Sequence, residues 1–307
     1  MRRHVTIWLV LTGWIAVTAA YGQPAVRTVR KLSLDTSTQW GSPRFSPDGR
    51  KIFFTTVSYD GIWEYDLASA GIRKITGDPG AGYGFAVDPQ SELLAFRRTT
   101  IDPKTHRRHQ EIVLQDLRTG SPQVIGAGND LSLPAFSGGG IVYSTPAGLQ
   151  NRPAASASSP LAVLGIEDQK IALIADGRKM LLDPFGDGRY IWPSLSPDGS
   201  SVLAFESRRG AFVCRTDGSQ IVQLGRRDAP SWAHDGRWIA FMDERDDGHQ
   251  ILSSHILLVS RDGGTVISLT DGDRVDLDPQ CSPTDNHIVF STGNGEIYLL
   301  EYGEERR

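Results

Sequence analysis

One seven-residue pattern recurs along the chain and limits what it can fold into. Pro193-Ser194-Leu195-Ser196-Pro197-Asp198-Gly199 leads into the apolar run Val202 to Phe205. Pro43 to Gly49 before Ile52, Phe53 and Phe54 repeats it, as does Pro230 to Gly236 before Trp238 to Phe241. Weaker copies begin at Phe85, Pro134 and Pro279. In Ser-Pro-Asp-Gly, proline presets φ for the first corner of a tight turn, aspartate suits the second, and glycine supplies the left-handed position that lets a strand double back. Each copy is therefore a hairpin. A third strand follows about ten residues later, as in Gly61 to Leu67, and a fourth closes the unit, as in Ile72 to Thr76. Starts at 43, 85, 134, 193, 230 and 279 are spaced by 42, 49, 59, 37 and 49 residues, the length of a four-stranded propeller blade. The expectation is an all-β, six-bladed β-propeller.

The two ends of the chain complement each other. Thr28 to Leu34 resembles the fourth strand Ile72 to Thr76 but has no unit of its own, while the sixth unit ends after Glu296 to Leu300 without a fourth strand. Pairing the N-terminal strand into the last blade closes the ring and removes its exposed edges. The third unit is irregular. Its turn is reduced to Ser137-Gly138-Gly139-Gly140, and Pro146 to Pro160 is low in aromatic and bulky apolar residues and is expected to be a mobile loop. Leu161 to Ile166, Lys170 to Ile174 and Arg178 to Leu182 then supply one strand more than a simple third blade needs.

Residues 1–22 have the form of a secretory signal: Arg2-Arg3, an apolar stretch from Val5 to Ala20, and small residues before the cleavage point. The stretch is short for a membrane span. Residues 23–307 are then one domain, periplasmic or secreted, without stable membrane insertion after cleavage. Losing Arg2 and Arg3 takes the formal charge from −4 to −6, and the basic residues form no stripe, which argues against nucleic acid. Cys214 and Cys281 fall in units that are not neighbours, so both are expected as buried small hydrophobes rather than a disulfide.

In a propeller the Ser-Pro-Asp-Gly turns crowd one face. The longer connections lie on the other face, which is where recognition is expected. On that face Trp40, Tyr83, Tyr190 and Trp192 stand just before unit starts, where they either ring the channel mouth as stacking surfaces or pack between blades. Asp243 to His249 is a dense acidic loop in which Asp246, Asp247 and His249 are candidate partner contacts. With Asp273, Asp276 and Asp278 it is also a weak candidate for a calcium site, although the alternating ligand order of an EF-hand is missing. His106 and His109 lie on a polar connection with no adjacent glutamate, unlike a zinc protease helix. No Gly-x-Ser-x-Gly elbow or glycine-rich phosphate loop is present, so catalytic residues are not assigned and no cofactor is expected.

The P-x-[aromatic or Leu]-S-P-D-G units at Pro43 to Phe54, Pro193 to Phe205 and Pro230 to Phe241 resemble the WD40-like repeats of the TolB-like propeller family, loosely over Arg30 to Tyr302. Such repeats also occur in propellers that gate peptidase domains, but no hydrolase domain accompanies them here. TolB itself carries an N-terminal α/β domain, whereas about twenty mature residues precede the first unit in this chain. The resemblance implies an exported six-bladed propeller that serves as an interaction module for a protein or a glycan, and the leading expectation is a monomeric, non-enzymatic binding propeller. The alternative is a metal-assisted carbohydrate-active enzyme or lectin with its site at the channel mouth.

Overall fold

The computed structural model describes residues 23–154 and 159–304, which form 26 strands in seven antiparallel sheets. The expected signal segment lies outside the described residues. Blade 1 shows the full unit: Trp40–Phe45, Lys51–Thr56, Ile62–Asp66 and Ile72–Thr76 pair in that order. Blades 2 to 6 occupy residues 86–128, 135–153, 162–182, 190–225 and 228–268. Blade 7 takes 276–304 and adds Pro24–Lys31 as its outermost strand. The N-terminal strand therefore closes the ring as the sequence suggests, with Val29 opposite Leu300 and Lys31 opposite Tyr298.

The second strands explain the ring. Ile52, Phe53 and Phe54 are all fully buried, as a continuous apolar run must be when both faces of its sheet are covered. Phe53 packs with Phe85, Leu94 and Phe96 of blade 2. Ile52 and Phe54 point the other way, to Leu32, Val289 and Leu299 of blade 7. Each pair of neighbouring blades shares such a cluster, and the seventh cluster joins blade 7 to blade 1. Cys214 and Cys281 sit in two of these clusters as free thiols, and burial pushes both up to about 12.

The hairpins behave as their residues require. In blade 1, Gly49 has φ of 71° and donates its N–H to the Ser46 carbonyl at 2.9 Å, while the Ser46 hydroxyl accepts the Lys51 N–H at 3.0 Å. Gly199 and Ser196 repeat this in blade 5. In blade 2, where Ser91 replaces glycine, that serine is held at φ of 59°.

Seven blades, not six, make the ring. The long interval from Pro134 to Pro193 holds two three-stranded sheets, one formed by Ala135–Ser137, Gly140–Thr145 and Gly148–Pro153, the other by Ala162–Glu167, Lys170–Ala175 and Arg178–Leu182. The stretch expected as a loop thus contains a strand, Gly148–Pro153, hydrogen-bonded to Gly140–Thr145, and residues 155–158 of it lie outside the described residues.

Backbone contacts show which strands are absent. Trp40 N–H donates to Gly295 O, in the turn between the second and third strands of the preceding blade. Tyr190 N–H donates to Gln169 O in the same way, so the turn between Ala162–Glu167 and Lys170–Ala175 joins a second strand to a third. A side chain on Gly218 would meet Leu182, as one on Gly263 would meet Leu224 in the fourth strand of blade 5. Among the described residues, blade 4 therefore lacks its first strand and blade 3 its fourth. Eight residues separate Pro153 from Ala162, where 22 separate Arg215 from Trp238 at an ordinary junction. The motif belongs to the first strand, so a blade without that strand escapes a count of motifs.

Candidate functional site

The first strands of four blades carry the same irregularity near the loop face. Ser42, Trp192, Ala229 and Asp278 have φ between 48° and 52°, each precedes a proline, and each lies where strand register shifts. Proline has no N–H for the ladder, and a bulge places that missing donor where pairing is already interrupted. The bulge re-aims the side chains of the inner strands around the channel.

What those positions present differs by blade. In blade 5 the bulge exposes two large apolar residues, Ile191 and Trp192, each 44% accessible. Trp192 stands edge-on to Phe205 at 5.7 Å, and the Arg226 guanidinium lies 5.8 Å from the same ring. In blade 6 the corresponding stretch begins with Asp228. Burial raises its carboxyl above the ordinary range; Arg226 opposes this and Asp243 adds to it. Glu244 is raised by burial and by the neighbouring charges of Asp228 and Asp246. Neither Asp228 nor Glu244 has an ion-pair partner among the described residues. Across the seam between blades 7 and 1, the surrounding protein pushes the Arg44 guanidinium down although the side chain stays solvent-accessible, and Asp278 partly restores it. Arg44 reaches the Phe85 carbonyl at 3.4 Å, lies 5.4 Å over its ring, and lines a cavity of about 360 Å³ with Val87 and Gln280.

The residues expected to ring the mouth divide. Trp40 is buried between blades 7 and 1, edge-on to Phe54 and Trp63, with its indole N–H donated to the Asp35 carbonyl at 2.8 Å. Tyr190 is buried too; its hydroxyl donates to Asp183 at 2.7 Å and accepts the Phe185 N–H. These two pack between blades and offer no stacking face. Tyr83 is half-exposed and pairs edge-on with Tyr59 at 5.3 Å, and Trp192 is the exposed indole of the mouth.

The long connections are mostly strand. Trp238–Asp246 and Ile251–Ser260 pair as far as Asp246 opposite Ile251, so the acidic loop is the tip of a projecting hairpin. At that tip Asp246 accepts the Gly248 N–H and Asp247 accepts those of His249 and Gln250, all between 2.7 and 2.9 Å. Both carboxylates thus spend an oxygen on their own turn. The hairpin Leu93–Ile101 and Arg108–Asp116 projects likewise from blade 2, with His109 on its second strand. Asp273 is exposed, Asp276 is buried and paired with Arg274 at 3.2 Å, and Asp278 faces Arg44. Among the described residues no group of three or more His, Cys, Asp or Glu side chains converges as metal ligands.

Comparison with known proteins bears on fold. No family profile matches the chain. An uncharacterized protein of Agrobacterium fabrum is 30% identical over 114 residues, which cover 35% of this chain and 37% of that one. The solved structure of a protein assigned as TolB from Agrobacterium tumefaciens superposes with a TM-score of 0.57 at 19% identity, covering 90% of this chain and 97% of that one. The propeller domain of Cps50 (Swd1) from Myceliophteria thermophila gives 0.58 at 12% identity, over 91% and 99%. The fold is that of a TolB-like propeller.

Within this TolB-like ring, several mouth residues were not singled out from sequence. Asp228 stands two residues before Pro230, where the other strong copies have Gly41 and Ile191. Aligning the copies therefore offered a signal. Glu244 and Arg226 acquire their neighbours only through strand register, and Tyr59 only through the approach of the 77–84 connection.

Proposed function

We propose that this chain is a non-enzymatic binding propeller that holds a protein partner at its channel mouth, in the periplasm or outside the cell. The observation that carries the reading is the juxtaposition at blades 5 and 6 of exposed Ile191 and Trp192 with the partly desolvated carboxyls of Asp228 and Glu244. Large apolar side chains on a rigid strand give contact area at little entropic cost, and unneutralised acids beside them select a partner by charge. The resemblance to the Tol propellers and the signal-like segment 1–22 support an envelope location. No helix among the described residues is long and apolar enough to cross a membrane.

The test places a photo-crosslinking amino acid at position 192 and, as a control on the opposite face, at position 198. A discrete protease-sensitive adduct from 192 alone is expected in an envelope-bearing host. Equal labelling from 198, or none from 192, would refute a mouth-directed partner. Export is checked on the same cells: a mature protein beginning near Gln23 is expected in the periplasmic fraction or medium, and a full-length cytoplasmic chain would count against it.

A further inference from the structure

Blade 4 begins at what is a second strand in every other blade, so Ala162–Glu167 is the innermost strand of its sheet and has a partner on one side only, Lys170–Ala175. It contacts the first strands of blades 3 and 5 on its two sides. Among the described residues its inner edge, like that of the first strand in each other blade, has no partner, and here that edge belongs to a second strand, where a first strand would otherwise lie. Such an edge presents a row of backbone donors and acceptors ready to pair with another chain. Six residues of it offer about 20 Å of ladder.

The side chains bordering this edge are apolar and exposed. Leu164 and Val163 are taken up by the clusters with blades 3 and 5, but Ile166 remains 40% accessible. Ile166 lies opposite Ile171, which packs toward blade 5, and the next inner strand on that side is the one that exposes Ile191 and Trp192. The corresponding stretches in blades 6 and 7, Asp228-Ala229 and Leu277-Asp278, present no large exposed apolar side chain.

We propose that the channel-facing edge of Ala162–Glu167 is a docking slot for an extended segment of a partner polypeptide, which pairs there as the absent first strand of blade 4 and covers Ile166, Ile191 and Trp192. The proposal rests on the reading of the mouth as a protein-binding site and specifies how the partner binds: by strand addition, in which backbone pairing gives affinity and alternate side chains give specificity. Charge narrows the occupant further. Arg208 and Arg209 on this rim are engaged by Asp187 and Glu206, and Arg226 is held by the carbonyls of Ser207 and Arg208, whereas Asp228 and Glu244 have no ion pair among the described residues. The segment that fits alternates apolar residues and carries Lys or Arg at the end nearest blade 6.

The chain supplies its own probe. A fluorescein-labelled peptide with the sequence of residues 39–50, a first strand with its turn and two arginines, is titrated into the mature protein by anisotropy, with amide exchange measured on the complex. Saturable binding is expected, with exchange slowed at least about tenfold across 162–167 and not on the opposite face. Ile166→Arg and the pair Asp228→Asn, Glu244→Gln should each weaken binding about tenfold or more. Met180→Arg, on the outer strand of the same blade, should leave it unchanged, and a scrambled peptide should not bind. Absence of binding up to about 1 mM by peptides 39–50, 189–200 and 227–238 alike would overturn the slot. So would binding that leaves 162–167 unprotected. If the crosslinker at 192 captures a protein while these amides stay unprotected in that complex, the mouth reading stands and strand addition falls. Protection of 162–167 by dimerisation without peptide would assign the slot to a second copy and overturn the proposal as stated.

Discussion

Blades 7 and 4 are each one strand short within their own stretch of chain, and only blade 7 is made whole. Its deficit is at the rim, where Pro24–Lys31 lies along Ile297–Glu304 and Leu32 continues inward to donate its N–H to the Ile297 carbonyl at 2.8 Å. The deficit of blade 4 is at the channel, and that of blade 3 at the rim beside Gly148–Pro153. A ring tolerates these losses because its core is not inside any blade. The clusters lie between blades, and the second and third strands supply most of them. Blade 4 keeps both of those strands, so Leu164, Ala172 and Ile174 still bind it to blade 3, and Ile171 and Leu173 to blade 5. A missing inner strand costs hydrogen bonds and turns the edge of a second strand, instead of a first, toward the channel. A broken seam at blades 7 and 1 would cost a shared core.

The largest effect is therefore expected at the closed seam. Leu32 is 1% accessible and packs with Trp40, Phe54 and Leu299. Leu32→Ala should cost about 3 kcal/mol by emptying that position, and Leu32→Asp more, because an unpaired charge would be buried there. Thermal melts measure both. A Leu32→Asp protein that melts within a few degrees of the parent would show that the seam is not what holds the ring shut, and the contrast with blade 4 would lose its basis.

A smaller, pH-dependent effect is expected on the blade 5 side of the gap. Glu206 is fully buried at the top of its strand. Burial alone would raise its carboxyl, but the N–H groups of Arg189, Arg208 and Arg209, together with the Arg209 charge, outweigh this and hold it below the ordinary range. With the folded value below the unfolded one, the carboxylate stabilises the fold fully above the unfolded value of about 4.3. That contribution is lost as pH falls through the folded value. Urea midpoints should drop between neutral pH and pH near 3, and Glu206→Gln should be less stable at neutral pH with a shallower acid dependence. An unaltered acid profile in Glu206→Gln would mean that other carboxylates set it.

Sequence shows the unit, the closure and the burial of both cysteines, because turn chemistry and apolar runs are local. It hides the seventh blade for a physical reason: the recognisable motif marks a first strand, and blade 4 has none. The 59-residue interval and the extra strand were the visible trace. The mouth was legible in part. Trp192 and Tyr83 are exposed, whereas Trp40 and Tyr190, at like positions before a unit start, are drawn into inter-blade packing by Asp35, Phe54, Asp183 and Phe185, which lie elsewhere in sequence or depend on the path of a connection. The coupling of Asp228 to Glu244 depends on strand register, which no single-strand pattern encodes.

The smallest expected effect lies on the open strand itself and sharpens the comparison most. Leu164 and Ile166 are two residues apart on Ala162–Glu167, one buried against blade 3 and the other exposed beside the free edge. If that edge is an unpaired margin in the folded protein, Ile166→Arg loses little packing and its charge stays in water, so stability should change by no more than about 0.5 kcal/mol. Leu164→Ala removes side-chain volume from a closed cluster and should cost about 2 to 3 kcal/mol. Denaturant midpoints of the two variants, with unchanged slopes, measure the difference. Equal and large losses would mean that Ile166 is covered in solution by protein of the same chain, and that blade 4, like blade 7, has recovered its strand.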